Sequence, residues 1–106
     1  MGVRKRVADV VIEALAEAGI TDCFAVVGGG AMHLDNALAI HSSIHTTFNH
    51  HEQACAMAAE AYARSSGRIA AICVTSGPGA SNAITGVVGA WQDSIPLIVL
   101  SGQVRY

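Results

Sequence analysis

Four short runs of apolar and β-branched residues, separated by helical patterns, limit what this chain can fold into. The predicted strands are 22–27, 44–48, 69–74 and 95–100. The predicted helices are 4–18, 31–40, 50–65 and 81–91. Strands that alternate with helices at this interval form a parallel sheet, because right-handed crossovers carry each helix over one face of it. The sequence therefore predicts an α/β domain, a parallel sheet with helices on both faces.

The balance of apolar and charged residues agrees with this prediction. Hydrophobic residues make up 52% of the chain and charged residues 13%, as expected for strands covered on both faces or for a surface that docks onto another protein. The formal charge is −2 with only six Lys and Arg residues, so no basic stripe is available to neutralise a phosphate backbone. We therefore expect no nucleic acid partner.

The apolar segments and the cysteines indicate a cytoplasmic protein. No apolar run reaches the length of a membrane span, and the start of the chain lacks the apolar stretch of a signal peptide. Cys23, Cys55 and Cys73 are odd in number and lie inside apolar segments, which favours buried, reduced thiols without an activating environment. We expect no membrane contact and no cysteine nucleophile.

The chain is predicted to form one domain over residues 1–106. The last predicted strand is followed by only a few residues, without the covering helix that a sheet with helices on both faces would have next. We therefore expect a domain that is interrupted after its fourth strand.

Glu52, at the start of the third predicted helix, is the main candidate for a functional side chain. Two interpretations stay open. Asn49 has N-cap chemistry, and Asn49-x-x-Glu52 has the spacing of a capping box, in which the glutamate would serve only the helix end. Alternatively, the carboxylate projects into the cleft at the carboxyl ends of the strands and exchanges hydrogen bonds with a ligand.

Glycine-rich turns follow the first and third predicted strands, at 28–30 and 77–79. Gly77-x-Gly79 lacks the third glycine of a dinucleotide-binding fingerprint, and no Gly-x-x-x-x-Gly-Lys-Ser/Thr phosphate loop occurs. A plain strand-to-helix turn stays open, and a free-standing dinucleotide-binding domain rests on this turn alone.

The histidines do not predict a metal site. His41 and His45 fall on a loop and a strand instead of one helical turn, and the adjacent His50 and His51 point in different directions on a helix. His50 and His51 are expected to contribute to packing or to line a cleft.

The order of the motifs closely resembles the amino-terminal pyrimidine-binding domain of thiamine diphosphate enzymes of the acetolactate synthase group, over about residues 7–104. The motifs that carry the resemblance are Asn-His-His-Glu-Gln-Ala at 49–54, Ala-Ala-Glu-Ala-Tyr-Ala-Arg at 58–64, Thr-Ser-Gly-Pro-Gly-Ala-Ser-Asn at 75–82, Asp-Ser-Ile-Pro-Leu at 93–97 and Ser-Gly-Gln-Val at 101–104. The sequence Gly-Gly-Gly-Ala-Met-His at 28–33 differs from the Tyr-Pro-Gly-Gly motif of the true acetolactate synthases. That departure leaves the substrate open.

The resemblance implies a role for specific residues. It implies that Glu52 is catalytic, because the matching glutamate hydrogen-bonds the N1′ nitrogen of the cofactor's aminopyrimidine and so activates the cofactor for attack on a 2-oxo acid. The implied cofactor-binding residues are Gly28, Gly29, Gly30, Glu52, Ser76, Gly77, Pro78, Gly79 and Asn82. The implied substrate-side residues are His33, His51 and Gln103.

The resemblance also implies what must lie elsewhere. Family members bind Mg²⁺ and the diphosphate through a Gly-Asp-Gly…Asn motif in a second domain, and no Gly-Asp-Gly occurs in this sequence. The expectation is a part of a thiamine diphosphate lyase or transferase that is inactive alone, with Mg²⁺ bound by a domain outside this chain. A homodimer or tetramer through the alanine-rich helix predicted at 50–65 is expected. The alternatives are a non-catalytic dimerisation module of the same fold and a subunit of a split decarboxylase.

Overall fold

Helices and strands alternate along residues 4–104, the part of the chain that the computed structural model describes. The helices are α1 (Val7–Glu17), α2 (Met32–Ile40), α3 (Glu52–Ser66), α4 (Pro78–Asn82) and α5 (Ile84–Gln92). The strands are β1 (Asp22–Ala25), β2 (His45–Phe48), β3 (Ala71–Val74) and β4 (Ile98–Ser101). The predicted alternation is confirmed, and residues 1–3 and 105–106 of the predicted domain lie outside the described part.

The four strands form one parallel sheet in the order β2-β1-β3-β4. β1 pairs in parallel with both β2 and β3, and β3 pairs in parallel with β4. Since all strands run in the same direction, their carboxyl ends lie at one edge, called the carboxyl edge below. The segments that follow the strands therefore all leave the sheet at that edge, where α/β proteins place ligand sites.

Helices cover both faces of the sheet, as predicted. Alternate residues of a strand point to opposite faces, and the buried residues divide accordingly into two clusters. One cluster joins the sheet to α1 and α2, and its members include Ile12, Leu15, Cys23, Ala25, Leu38, Ala71 and Cys73. The other joins the sheet to α3 and includes Cys55, Ala56, Ala59, Ile72, Val74 and Ala83. All four residues of β3 are buried, which explains why this strand reads as a continuous apolar run.

Two predicted helices have different bounds, and proline explains one of them. The single helix predicted at 81–91 is divided into α4 and α5, with α4 beginning at Pro78. Proline suits the first position of a helix, because its φ angle is already helical and the amide it lacks would be unpaired there. The helix predicted from residue 50 begins instead at Glu52 with His51 as its N-cap, so the predicted N-cap Asn49 is wrong.

The outer strands and helices also differ from prediction by a few residues. β4 begins at Ile98 and not at residue 95, because Pro96 has no amide to donate to the sheet. α3 ends at Ser66, and Gly67, the residue predicted to terminate it, has the left-handed conformation of a helix C-cap. Among residues 4–104, no helix has the length and apolar content that crossing a membrane requires.

Small residues allow α3 and α5 to approach closely. A Cβ atom added to Gly86 of α5 would lie 2.5 Å from the Ala56 Cβ and 3.2 Å from the Met57 amide nitrogen. Neither of these neighbours can move without shifting the α3 backbone. The glycine at 86 and the alanine at 56 thus determine the separation of the two helices.

We expect Gly86→Ala to destabilise the fold by about 1–3 kcal/mol, the usual cost of overpacking a tight contact. Gly89→Ala is the matched control, because a Cβ there would lie 3.6 Å from Glu60 Oε1, an ordinary contact. That change should stabilise the fold by up to about 1 kcal/mol through helix propensity. Urea unfolding measures both free energies, and equal effects of the two substitutions would contradict the packing argument.

Candidate functional site

The carboxyl edge brings together segments that are far apart in sequence. The glycine loop (Gly28–Gly30) follows β1, Glu52 begins α3 shortly after β2, and the turn of residues Thr75–Gly79 follows β3. Backbone bonds continue the sheet into these segments: the Asn49 amide donates to the Ala25 carbonyl at 2.8 Å. The sequence-predicted residues in these three segments therefore share one edge.

Glu52 is buried at this edge, with 8% of its surface accessible. Its Oε1 accepts a hydrogen bond from Asn82 Nδ2 at 3.3 Å, so the structure brings two predicted site residues together. Among residues 4–104, no group donates a hydrogen bond to Oε2. A Cβ added to Gly79 would lie 3.4 Å from that oxygen, so the turn closely borders it. The carboxylate thus has one oxygen held and one available.

The capping-box interpretation of Glu52 is wrong. In a capping box, the Glu52 side chain would accept a hydrogen bond from the Asn49 amide. That amide donates instead to the Ala25 carbonyl. The Asn49 side chain instead accepts the Cys55 thiol at 3.6 Å. His51 caps the helix, because its Nδ1 accepts the Gln53 amide at 3.0 Å. Glu52 is the first residue of α3 and is therefore free of a capping role, while the positive end of the helix dipole favours its negative charge.

Thr75 occupies the space between the glycine loop and the turn, a role that sequence reasoning missed. A Cβ added to Gly28 would lie 2.5 Å from Thr75 Cβ, and one added to Gly79 would lie 2.5 Å from Thr75 Cγ2. Thr75 Oγ1 accepts the Gly30 amide at 3.0 Å. These glycines are therefore required by a neighbouring side chain of the same chain. Residue spacing carries no signal of this contact, because it joins positions more than forty residues apart.

Asp35 is a second residue that sequence reasoning missed. It lies in α2 and is 7% exposed. One carboxylate oxygen accepts the Gly28 amide at 3.1 Å and the other accepts the Cys73 thiol at 3.6 Å. Burial raises the pKa of the Asp35 carboxyl, and the two hydrogen bonds oppose that rise. An acid between Leu34 and Leu38 on an apolar helix was the available signal.

The remaining predicted residues occupy more varied positions. Gly29 and Gly77 have open space where a side chain would be, and Ser76 Oγ lies beside Gly30. Pro78 begins α4. His51 and Gln103 are exposed after strands that end at this edge, whereas His33 lines a cavity of about 560 Å³ between α1 and α2. The structure therefore does not place His33 with Glu52.

The cysteines are buried and free, as predicted. Burial raises the pKa of the Cys23 thiol to about 12 and that of the Cys55 thiol to about 11. Burial raises the pKa of the Cys73 thiol as well. A raised pKa favours the protonated thiol over the reactive thiolate, so burial activates none of the three. In the part of the chain that the structure describes, no three His, Cys, Asp or Glu side chains are grouped as metal ligands.

The raised pKa of Asp35 predicts a pH dependence of stability. The folded protein holds a proton on this carboxyl more readily than the unfolded chain, so the folded state loses stability as pH rises through the raised pKa. The unfolding free energy of the wild type minus that of Asp35→Asn should therefore fall as pH rises through the range above about 3.9, the ordinary pKa of an aspartate. Urea unfolding across this range measures the difference.

Asp9→Asn is the control with the opposite sign. The hydrogen bond from Arg6 lowers the pKa of the Asp9 carboxyl, so ionised Asp9 favours the folded state and its contribution is lost as pH falls. For this variant the same difference should rise with pH. A difference for Asp35→Asn that rises with pH would contradict the burial argument.

Comparison with known proteins identifies the family of this fold and site. The family model described as "Thiamine pyrophosphate enzyme, N-terminal TPP binding domain" matches residues 5–106. The chain is 45% identical over 97 residues to the acetolactate synthase large subunit of Buchnera aphidicola subsp. Schizaphis graminum. The aligned residues cover 92% of this chain and 17% of that protein. It is also 45% identical over 97 residues to the chloroplastic acetolactate synthase of Arabidopsis thaliana, covering 92% of this chain and 14% of that protein.

A third relative, the acetolactate synthase large subunit of Haemophilus influenzae, is 40% identical over 97 residues, again 92% of this chain and 17% of that protein. The chain thus spans less than a fifth of the length of these curated relatives. The match extends over the glycine loop, Glu52 and the Thr75–Gly79 turn. The chain therefore belongs to the family of N-terminal TPP binding domains of thiamine pyrophosphate (thiamine diphosphate) enzymes, in the acetolactate synthase-like group.

Proposed function

We propose that this chain is the pyrimidine-binding part of a thiamine diphosphate-dependent carboligase or decarboxylase that acts on 2-oxo acids. One observation carries the proposal: the buried Glu52 carboxylate has one oxygen held by Asn82 and the other without a donor among the described residues. Among the described residues, Thr46 Oγ1 is the one side-chain polar atom that is fully buried without a partner, so Oε2 is not sealed from its surroundings. A ligand that donates a hydrogen bond could therefore reach Oε2.

The residues at the carboxyl edge fit the uncharged, flat end of this cofactor. Glu52 is bordered by Gly79, so a planar ring could approach the carboxylate without meeting a side chain from that residue. When bound, thiamine diphosphate supplies the carbon nucleophile for 2-oxo acid chemistry. The role of this chain would be to orient the pyrimidine and to hold a proton between Glu52 and a ring nitrogen.

The charged end of the cofactor fits this chain less well. Among residues 4–104, the lysine and arginine side chains that form ion pairs are Lys5, Arg6 and Arg64, and their partners are acids on the helices or, for Asp93, just after α5. His45 lies 3.8 Å from Asp22 of β1. None of these pairs involves the glycine loop or the Thr75–Gly79 turn. We therefore propose that Mg²⁺ and the diphosphate bind a domain outside this chain, and that the chain alone is inactive.

The proposed substrate is a 2-oxo acid, on the strength of the similarity to acetolactate synthases. His51 and Gln103 remain the substrate-side candidates, since both are exposed and follow strands that end at the carboxyl edge. His33 has weaker support because it lines the cavity between α1 and α2. A cytoplasmic location is also proposed, and the buried, free cysteines are consistent with it.

Glu52→Gln tests the proposed function. The amide keeps the shape of the side chain but loses the proton-accepting oxygen, so turnover of a 2-oxo acid should fall by a factor of about 10² or more. The assay uses the enzyme assembled with the domain that binds the diphosphate. Unfolding by urea should change little.

Glu60→Gln is the matched control, because Glu60 lies on the same helix and pairs with Arg64 on its surface. This variant should keep normal turnover, as surface ion pairs contribute little. If Glu52→Gln retains a rate similar to that of Glu60→Gln, the proposed role of Glu52 is wrong.

A second candidate function, a non-catalytic dimerisation module, is favoured by an exposed apolar stripe on α5. Ile84, Val88 and Trp91 follow helical spacing, and Trp91 is 83% exposed. The exposed Met57 of α3 lies on the neighbouring helix. Both functions predict self-association, and we propose a homodimer or tetramer in which a second copy covers this stripe through α3 and α5.

Val88→Glu should weaken self-association at least about tenfold, because burying an unpaired carboxylate in an apolar interface is costly. Val10→Glu is the control, since Val10 is similarly exposed and lies on α1, which covers the opposite face of the sheet. Sedimentation velocity of both variants measures the association constant. A wild-type protein that stays monomeric, or equal weakening by both variants, would contradict the proposed interface.

A further inference from the structure

Thr75 lies where the central strand β3 ends, and its two side-chain branches contact different segments. The hydroxyl Oγ1 accepts the Gly30 amide of the glycine loop at 3.0 Å. The methyl Cγ2 lies 2.5 Å from the position that a Gly79 Cβ would take, so the Gly79 backbone rests directly against it. One residue thus contacts the loop after β1 and the turn that leads into α4.

The methyl branch is connected to Glu52 through α4. A Cβ atom added to Gly79 would lie 2.5 Å from Thr75 Cγ2 and 3.4 Å from Glu52 Oε2. The Gly79 backbone is therefore close to both side chains. Asn82, which holds the other oxygen of Glu52, ends the same short helix. The position of α4 therefore affects both carboxylate oxygens, and Thr75 is the side chain against which α4 begins.

The hydroxyl branch has a separate effect on the glycine loop. The loop has two side-chain anchors, Asp35 at the Gly28 amide and Thr75 at the Gly30 amide. Gly29 between them has open space around it. Without the Thr75 hydroxyl, the Gly30 amide would lose its acceptor and this half of the loop would open more readily.

We propose that Thr75 is a positioning residue with two separable effects: its hydroxyl holds the glycine loop in place, and its methyl holds α4 and hence the Glu52 carboxylate. The second effect rests on the proposed function of Glu52, whereas the first does not depend on it. A purely space-filling role would predict that both effects change together when the side chain is altered.

Two conservative variants separate the branches. Thr75→Val keeps the shape and removes the hydroxyl, and Thr75→Ser keeps the hydroxyl and removes the methyl. Thr85→Val and Thr85→Ser are the matched controls, since Thr85 is exposed on α5. Amide hydrogen exchange at Gly30 in the cofactor-free protein reports the loop, and kcat and KM for a 2-oxo acid in the assembled enzyme report Glu52.

Thr75→Val should speed exchange at Gly30 by about fivefold or more, as expected for the loss of one hydrogen bond. Thr75→Ser should leave Gly30 exchange unchanged and lower kcat several-fold with little change in KM, because a displaced Glu52 slows the chemical step and does not alter substrate binding. If the Gly30 amide exchanges at the same rate in Thr75→Val as in Thr85→Val, the proposed effect of the hydroxyl is wrong. A kcat for Thr75→Ser that matches Thr85→Ser would overturn the methyl effect, even if the Val variant did not fold.

These outcomes remain distinguishable from a failure of the proposed function. If Glu52→Gln keeps normal turnover, the role of Glu52 is wrong, yet Gly30 exchange in Thr75→Val still tests the loop in cofactor-free protein. If Glu52→Gln abolishes turnover and Thr75→Ser does not reduce it, the proposed function stands and the positioning effect is wrong.

Discussion

The contact of Thr75 with the glycine loop and the Thr75–Gly79 turn is the constraint on which the carboxyl edge depends. Cβ atoms at Gly28, Gly30 or Gly79 would lie 2.5–2.9 Å from atoms of this one side chain. Separations that short are not tolerated in close-packed interiors. The glycines thus permit the glycine loop and the Thr75–Gly79 turn to meet at the end of β3, and Gly79 also borders Glu52. The candidate site is built on that meeting point.

Two buried acids illustrate how the same chemistry can serve different purposes. Both oxygens of Asp35 accept hydrogen bonds, one from the Gly28 amide and one from the Cys73 thiol. Only one oxygen of Glu52 does so among the described residues. An acid whose two oxygens are both bonded within the chain stabilises a local structure, whereas an acid with one unbonded, accessible oxygen can accept a hydrogen bond from a ligand. This difference in hydrogen bonding separates the loop anchor from the candidate catalytic residue.

The apolar composition of the chain now has a physical explanation at two levels. Strands covered by helices on both faces account for the buried residues of β1 and β3. The exposed stripe at Ile84, Val88 and Trp91 accounts for some of the exposed apolar residues, and Val7, Ile40 and Val27 are others. The chain spans 14–17% of relatives that are more than five times as long.

The sequence by itself determined the alternation of strands and helices, the parallel sheet, and the placement of Glu52 and the Thr75–Gly79 turn at one edge. These properties follow from local periodicity and turn residues, which act over a few positions. Only the tertiary structure decided that His51 and not Asn49 caps α3, that Thr75 explains the glycines, and that His33 lies away from Glu52. Each of these outcomes depends on which backbone groups and side chains meet across the sheet, and spacing along one chain carries no record of that.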